Sequence, residues 1–354
     1  MKIKNLITIA LAAIMSVSAM SIPTFAENNT TIDEQLFIDT AKDAIYDYIV
    51  ERGEEYYTIS DVSFNDGDIK YESDNKVSFE TTATIRQKLK ASDVEELPYI
   101  QGYLNAAGIS SYADIQKSTD VSSVLNENAT VLNAERVLKV ISDRVDAVNE
   151  YIGEETEISM DFYVSINPQT AITKDNIQLN CIDSLGNIVS TDEYLLPTYE
   201  TMYQSGAEEL TATIEEISST VEPMKNVDNW SNYNPAYNNY VGKGGDCANF
   251  VSQCVYAGGV PIHGGWSPDS VAWINAASLK NNMLQYGYAT KEDAWETNAG
   301  NFAYTTAGQG HIVLVTLNDT VTLAYTAHTT NCKDQPFTQA NINGGYSFYI
   351  IKNF

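Results

Sequence analysis

The chain lacks most of the sequence signatures by which enzymes hold metals, nucleotides or acyl groups. It contains no C-x-x-C pair, no H-E-x-x-H, no G-x-S-x-G and no phosphate-binding glycine loop. Only three histidines and four cysteines occur in 354 residues. This cysteine count permits disulfides but is far below the density of a small disulfide-stapled domain. Catalysis, if present, must come from residues outside these motifs.

Basic residues are also scarce, and the resulting charge is uneven along the chain. There are 20 Lys and Arg against 47 Asp and Glu, a net charge of −27. Residues 27–221 hold 38 of the acids and 12 of the bases, whereas residues 222–354 hold nine and six. A front region this acidic should repel polyanions, so nucleic acid and anionic lipid are poor candidate partners. The shift in charge predicts a domain boundary near residue 221.

Long hydrophobic runs are missing except at the N-terminus. Lys2 and Lys4 precede the apolar run LITIALAAIMSVSAM, and the small-residue exit SIPTFA follows it. This is the pattern of a secretory signal peptide, cleaved after Ala26. An uncleaved anchor is the alternative, but the run is shorter than the roughly 20 residues that a spanning helix needs. We expect a secreted protein, extracellular or associated with the cell wall, without stable membrane insertion after cleavage.

The front region, residues 27–221, reads as an acidic α+β region of unknown function. A helical period over residues 31–52 precedes three alternating segments, and a second block of one helix and three strands begins near residue 133. The two blocks predict one or two small subdomains. The region has no histidine and no catalytic cluster, which favours a spacer or binding module. We expect it to fold without the rest of the chain, because few contacts cross domain boundaries.

The candidate nucleophile lies in the stretch GKGGDCANFVSQC, residues 242–254. Phe250, Val251, Cys254 and Val255 share one helical face with Cys247, so a helix is predicted to start at this cysteine. Asp246 is a suitable N-cap residue. A helix N-terminus favours a thiolate, which predicts a thiol pKa shifted from about 8.5 toward neutrality.

Cys254 lies on the same apolar face two turns later, where a packing role is predicted. The sequence also leaves open a disulfide between Cys254 and Cys332, and leaves open that Cys247 is only another core thiol.

Two of the three histidines lie in a predicted hairpin, GQGHIVLVTLNDTVTLAYTAHTTN. If Asp319 and Thr320 form a two-residue turn, His311 lies directly opposite His328 on one face. One imidazole could then accept the thiol proton while the other orients it. A slip of one residue would separate them. His263 has no such partner and is predicted to be an ordinary loop residue.

Three stretches carry a resemblance to a known family: NPAYNNYVGKGGDCANFVSQCVYAGGVPI, WSPDSVAWINAASL and HIVLVTLNDTVTLAYTAHT. Together they resemble the bacterial putative amidase domain over residues 222–354. They are more distantly similar to the NlpC-like and CHAP cysteine peptidases of the papain-like superfamily. The resemblance implies an α+β, papain-like C-terminal domain, with a helix bearing the cysteine packed on an antiparallel sheet.

Carried over by position, the resemblance implies that Cys247 is the nucleophile, His311 the base and His328 the orienter. Asn331 is the rival for this third role. The oxyanion would be met by the backbone amide at the helix start, or by one of two tyrosines upstream, Tyr237 and Tyr240. Relatives commonly have a Gly-Asp pair ahead of the histidine strand, whereas this chain reads AGNF, with Asn301 in place of the acid.

The sequence therefore predicts a secreted cysteine amidase or peptidase that hydrolyses amide bonds through a thioester acyl-enzyme and needs no cofactor. By analogy with the similar peptidases, the expected substrate is a peptide of cell-wall peptidoglycan. One alternative is a zinc site built from Cys247, His311 and His328. Another is a non-catalytic wall-binding or adhesion protein, which uses the many tyrosines as contacts.

Overall fold

A computed structural model of the chain describes residues 32–72, 75–113, 131–216, 234, 236–241, 246–328 and 332–352. The predicted signal peptide, the predicted boundary near residue 221 and Asn331 lie outside these residues. One compact unit runs from Glu34 to Phe354. Within the described ranges, no helix is both long and apolar enough to cross a membrane.

The described residues include seven α-helices. They span Glu34–Gly53 (α1), Pro98–Ala106 (α2), Val131–Asn149 (α3), Tyr199–Glu216 (α4), Cys247–Ala257 (α5), Val271–Ile274 (α6) and Ala276–Gln285 (α7). The apolar period of the first block predicts α1 to within a few residues, and its buried side follows the expected spacing at Phe37, Ala41, Ile45 and Ile49.

Six strands of the front region form one antiparallel sheet in the order β1-β3-β4-β5-β6, with β2 paired to β3. They span Tyr57–Asp66 (β1), Lys70–Glu72 (β2), Lys76–Leu89 (β3), Glu155–Ile166 (β4), Gln178–Ile182 (β5) and Ile188–Ser190 (β6). Strand β3 comes from the first predicted block and β4 from the second, and they pair along nearly their whole length. The two blocks therefore share one sheet.

Helices α2 and α4, which the sequence analysis did not predict, cross at two glycines. A Cβ on Gly102 would lie 1.9 Å from the carbonyl oxygen of Tyr203, and a Cβ on Gly206 would lie 2.0 Å from that of Tyr99. Any side chain at either glycine would therefore overlap the facing backbone. Glycines that weaken helix propensity in the sequence are here what lets the two helices approach.

The C-terminal region forms a second antiparallel sheet in the order β11-β10-β9-β8-β12-β7. Its strands span Ala289–Glu292 (β7), Phe302–Thr305 (β8), His311–Asn318 (β9), Leu323–Ala327 (β10), Cys332–Pro336 (β11) and Ser347–Ile351 (β12). Ile312 and Leu314 of β9 pack in one core with the inner face of α5, and Val313 and Val315 pack in a second core. The mixed α+β class is confirmed, with a cysteine-bearing helix packed on an antiparallel sheet.

Buried contacts join the front region to the C-terminal sheet. The hydroxyl of Tyr57 in β1 donates to Oδ2 of Asp319 at 2.7 Å, and Val321 of the same turn packs into the core of the front region. Arg144 of α3 donates to Oδ1 of Asn298 at 2.9 Å. These contacts differ from the expectation that few would cross between the two regions.

Candidate active site

Cys247 is the first residue of α5 and is almost completely buried. Its side chain packs in the core that also holds Val251, Val255 and Ile312. The helix starts where the sequence predicts, because the apolar stripe begins at this cysteine and Asp246 takes the N-cap position. The backbone N–H groups of Ile312, Ala248 and Cys247 itself act on the thiol by lowering its pKa. The start of β9 therefore meets the start of α5 at this sulfur.

The prediction that the pKa of the Cys247 thiol is lowered is wrong, because this pKa is raised. Burial raises the pKa of its thiol, and the three backbone N–H groups lower it by less than burial raises it. The helix terminus acts in the predicted sense, but removing a thiolate from water is the larger effect here. Cys247 is therefore a neutral thiol at rest and needs a base when it reacts.

His328 follows the last residue of β10 and turns toward α5. Its Nδ1 lies 3.0 Å from Oδ2 of Asp246. Its ring stacks on Phe250, one helical turn after Cys247, with centroids 4.2 Å apart and planes at 24°. His328 therefore contacts the residue directly before Cys247 and a residue one turn after it.

The predicted pairing of His311 with His328 is wrong. The strands pair Asn318 with Leu323 and then Leu314 with Thr326, after an irregularity between Ala324 and Tyr325. The pairing of Leu314 with Thr326 is shifted by one residue from the pairing that a two-residue turn at Asp319 and Thr320 would give. In a regular antiparallel pair, a shift of one residue places two side chains on different faces.

His311 is the first residue of β9 and is nearly buried. Burial lowers the pKa of its imidazole to about 4, so the ring is neutral near pH 7. Its Nε2 has no hydrogen-bond partner among the described residues. The neighbouring backbone N–H, that of Ile312, is the one that reaches the Cys247 sulfur.

Asp246 is the residue of the site that sequence reasoning missed, since it was assigned only as an N-cap. Its side chain makes no cap hydrogen bond with the described residues of α5. Instead Oδ1 accepts from Nδ2 of Asn249 at 2.8 Å and from the backbone N–H of Tyr240 at 3.2 Å, while Oδ2 meets His328. The signal for this role was an acid directly ahead of the cysteine, in a region with few acids.

Comparison with known proteins identifies a family for the C-terminal region. Residues 226–351 match the family described as the putative amidase domain. The C-terminal region is a putative amidase domain. The predicted family is thereby confirmed, and the match includes α5 and the whole second sheet.

Two relatives of the chain come from Bacillus subtilis (strain 168). The uncharacterized protein YhbB is 35% identical over 63 residues, which are 16% of this chain and 19% of the relative. The uncharacterized protein YjcM is 27% identical over 120 residues, 30% of this chain and 29% of the relative. The chain thus covers less than a third of either relative. No solved structure matches it.

The remaining polar candidates of the amidase domain have other partners. The Tyr240 hydroxyl donates to Oδ1 of Asp269 at 2.6 Å, and the Tyr237 ring stacks on Trp273 with centroids 5.7 Å apart. Oδ1 of Asn301 accepts the backbone N–H of Ile351 at 2.9 Å. Asn301 therefore ties the start of β8 to β12, where the resemblance suggested an acid.

His263 has partners of its own in its loop. Nδ1 lies 2.8 Å from the Pro261 carbonyl oxygen, and Nε2 lies 2.9 Å from Oδ1 of Asn282. These contacts agree with the loop role predicted for it.

Cys254 and Cys332 of the amidase domain are free thiols, so the disulfide left open by the sequence is not formed. Burial raises the pKa of each to about 12. In the described parts of the chain, no three His, Cys, Asp or Glu side chains are grouped so that they could hold a metal ion. The zinc alternative therefore lacks its ligand geometry.

Proposed function

We propose that the amidase domain hydrolyses amide bonds with Cys247 as nucleophile. The observation that carries this proposal is the start of α5, where the thiol meets three backbone N–H groups beside an imidazole–carboxylate pair. A nucleophile with donors at its sulfur and histidines nearby suits acyl transfer. The family match supports amide hydrolysis as the reaction.

In the proposed reaction, the Cys247 sulfur attacks the carbonyl carbon of the amide while its proton moves to an imidazole. We assign this acceptor role to His311, because its ring is neutral and its Nε2 is without a described partner. The C–N bond then breaks, and the imidazolium returns the proton to the departing amine. Water next attacks the thioester, releases the carboxylic acid and restores the thiol.

The backbone N–H groups at the start of α5 are the proposed oxyanion donors. Their effect on the pKa of the thiol supports this role, since the carbonyl oxygen of a bound amide would lie close to the sulfur. The proposed third role belongs to His328, or to Asn331. This arrangement is the papain-like one that the sequence resemblance implies.

The proposed substrate class is the peptide part of bacterial peptidoglycan. Two arguments support it: the signal-peptide pattern, which predicts export of the chain, and the similarity to NlpC-like and CHAP peptidases. The net charge of −27 argues against nucleic acid as a partner.

Mass spectrometry of digested peptidoglycan tests the proposal. Wild type, Cys247→Ala and Cys254→Ala are incubated with purified peptidoglycan, and the released fragments are identified. We expect Cys247→Ala to lose all cleavage and Cys254→Ala to retain it, although both remove a thiol from the same helix. Wall binding that survives Cys247→Ala, with no cleavage by wild type, would instead support the non-catalytic alternative.

A further inference from the structure

Asp246 is a buried acid at a helix N-cap position, where a side chain usually accepts a backbone N–H of the first helical turn. Its side chain is fully buried, and it occupies the N-cap position of α5 without capping the described residues of that helix. A buried carboxylate needs hydrogen-bond donors to offset the loss of water. The donors found here come from His328, Asn249 and the backbone of Tyr240.

We propose that Asp246 is a positioning residue, which fixes the ring orientation and the tautomer of His328 beside Cys247. The proposal rests on the proposed function, since it assigns the group that prepares the third residue of that site. In the neutral ring, a carboxylate at Nδ1 requires the proton to sit on Nδ1 and leaves Nε2 as the acceptor. Phe250, stacked on the ring face, restrains its tilt.

Asp246 is itself held by neighbours that fix which oxygen faces His328. Asn249 donates from Nδ2 to Oδ1 of Asp246, and its own Oδ1 accepts the Nε1–H of Trp273 at 2.9 Å. Because Trp273 supplies only a donor, the amide of Asn249 cannot turn around without losing this bond. Oδ1 of Asp246 is therefore committed as an acceptor, and Oδ2 is directed to His328.

This arrangement predicts the effect of Asp246→Asn. The Asn249 and Tyr240 donors keep the oxygen of the new amide at the Oδ1 position, so the NH₂ group must face Nδ1 of His328. A donor at Nδ1 forces the ring proton to Nε2, which is the opposite tautomer. The substitution changes neither size nor shape, and circular dichroism melting checks that the variant folds.

The primary measurement is a ¹⁵N–¹H long-range NMR spectrum of the imidazoles above pH 7. Only three histidines occur in the chain, so His→Gln variants assign them. We expect the Nδ1–H form of His328 in wild type and the Nε2–H form in Asp246→Asn. An unchanged tautomer in a folded Asp246→Asn variant would overturn the proposal, whatever the activity.

Turnover supplies the second measurement. Asp246→Asn should lower kcat by about tenfold or more with little change in KM, because orientation of a reacting group acts in the transition state. The matched control is Asp39→Asn, which neutralises an exposed acid of α1 that accepts from Gln35 and should leave kcat unchanged.

A double mutant then tests whether Asp246 acts through His328. If it does, Asp246→Asn added to His328→Ala should cause no further loss. Two full and multiplicative losses would show that Asp246 acts by another route. If wild type and Cys247→Ala are equally inactive while the tautomer still switches, the proposed function fails and the positioning of His328 stands.

Discussion

The two regions of this chain differ in charge and in their candidate catalytic residues, yet they share buried contacts. The front region carries most of the negative charge and no histidine, whereas the amidase domain carries all three histidines and the candidate nucleophile. Charge and composition alone therefore suggest two independent parts. The structure instead shows the front region enclosing the turn of the hairpin whose other end bears His311 and His328.

This hairpin turn is unusual because it is buried. Turns normally lie at the surface, where water satisfies their polar groups. Here Asp319 and Thr320 are fully buried. Oδ1 of Asp319 accepts the backbone N–H groups of Val321 and Thr322, and Tyr57 of the front sheet donates to Oδ2. The front region thus contributes to the interior around the hairpin turn of the domain that holds the proposed catalytic residues.

The largest expected effect follows from separating the two regions. Residues 222–354 expressed alone should fail to fold cooperatively, because the turn and the core around Val321 would be exposed to water. Thermal unfolding followed by circular dichroism measures this. The control adds residues 27–221 as a separate chain, which should restore a cooperative transition. A fragment that melts cooperatively on its own would show that the front region is a separate domain, as the charge pattern predicts.

Sequence patterns predicted the elements of the fold better than their connections. Strand β3 and the cysteine helix follow directly from period-2 and helical spacing in the sequence. The crossing of α2 and α4 was missed, because Gly102 and Gly206 are unfavourable in a helix until the facing backbone is known. The shared front sheet was missed because β3 and β4 lie far apart in sequence.

The hairpin of β9 and β10 shows why the candidate site was only partly predictable. An apolar pattern specifies the register where one face of a strand is polar, but β9 and β10 are buried on both faces. The turn then decides the register, and its central residues are Thr320 and Val321 instead of Asp319 and Thr320. The backbone N–H of Asp319 donates to the carbonyl oxygen of Thr322 at 3.3 Å, the Asp319 side chain accepts from the backbone N–H groups of Val321 and Thr322, and Thr320 adopts a φ of 71°. The pairing of His328 with Asp246 is a tertiary contact that no local pattern contains.

Acid should destabilise the protein through the amidase domain, which holds all the histidines. His311 has a folded pKa of about 4 against 6.5 for the ordinary side chain. Between these values the unfolded chain binds a proton that the folded chain does not, so stability falls as the pH drops from 6.5 to 4. The full difference is about 3 kcal/mol.

Urea unfolding of wild type and His311→Gln at several pH values measures this contribution. The variant should lose about 3 kcal/mol less than wild type between pH 6.5 and 4. His263→Gln is the matched control, and it should keep the wild-type acid dependence. Parallel curves for wild type and His311→Gln would mean that His311 is accessible to protons in the folded protein.

Removing a single hydroxyl group tests how much the hydrogen bond between Tyr57 and Asp319 contributes to stability. Tyr57→Phe removes the hydroxyl that donates to Oδ2 of Asp319, a carboxylate whose pKa burial already raises. Leaving this buried oxygen without its donor should cost about 2 kcal/mol of unfolding free energy. The control is Tyr71→Phe, in which an exposed hydroxyl donates to Glu34 at 2.8 Å. That loss should stay below about 0.5 kcal/mol, and equal effects would mean that the contact between the regions adds nothing to stability.

The smallest expected effect concerns Cys254, which shares α5 with the nucleophile. Cys254 is half-buried and packs against the core of the amidase domain, so Cys254→Ala should cost about 1 kcal/mol through lost packing. Turnover per folded molecule should stay close to wild type, because this side chain lies two turns from the start of the helix. Urea unfolding and activity, both corrected for the folded fraction, provide the measurements. A folded Cys254→Ala variant without activity would mean that the far end of α5 contributes to the chemistry.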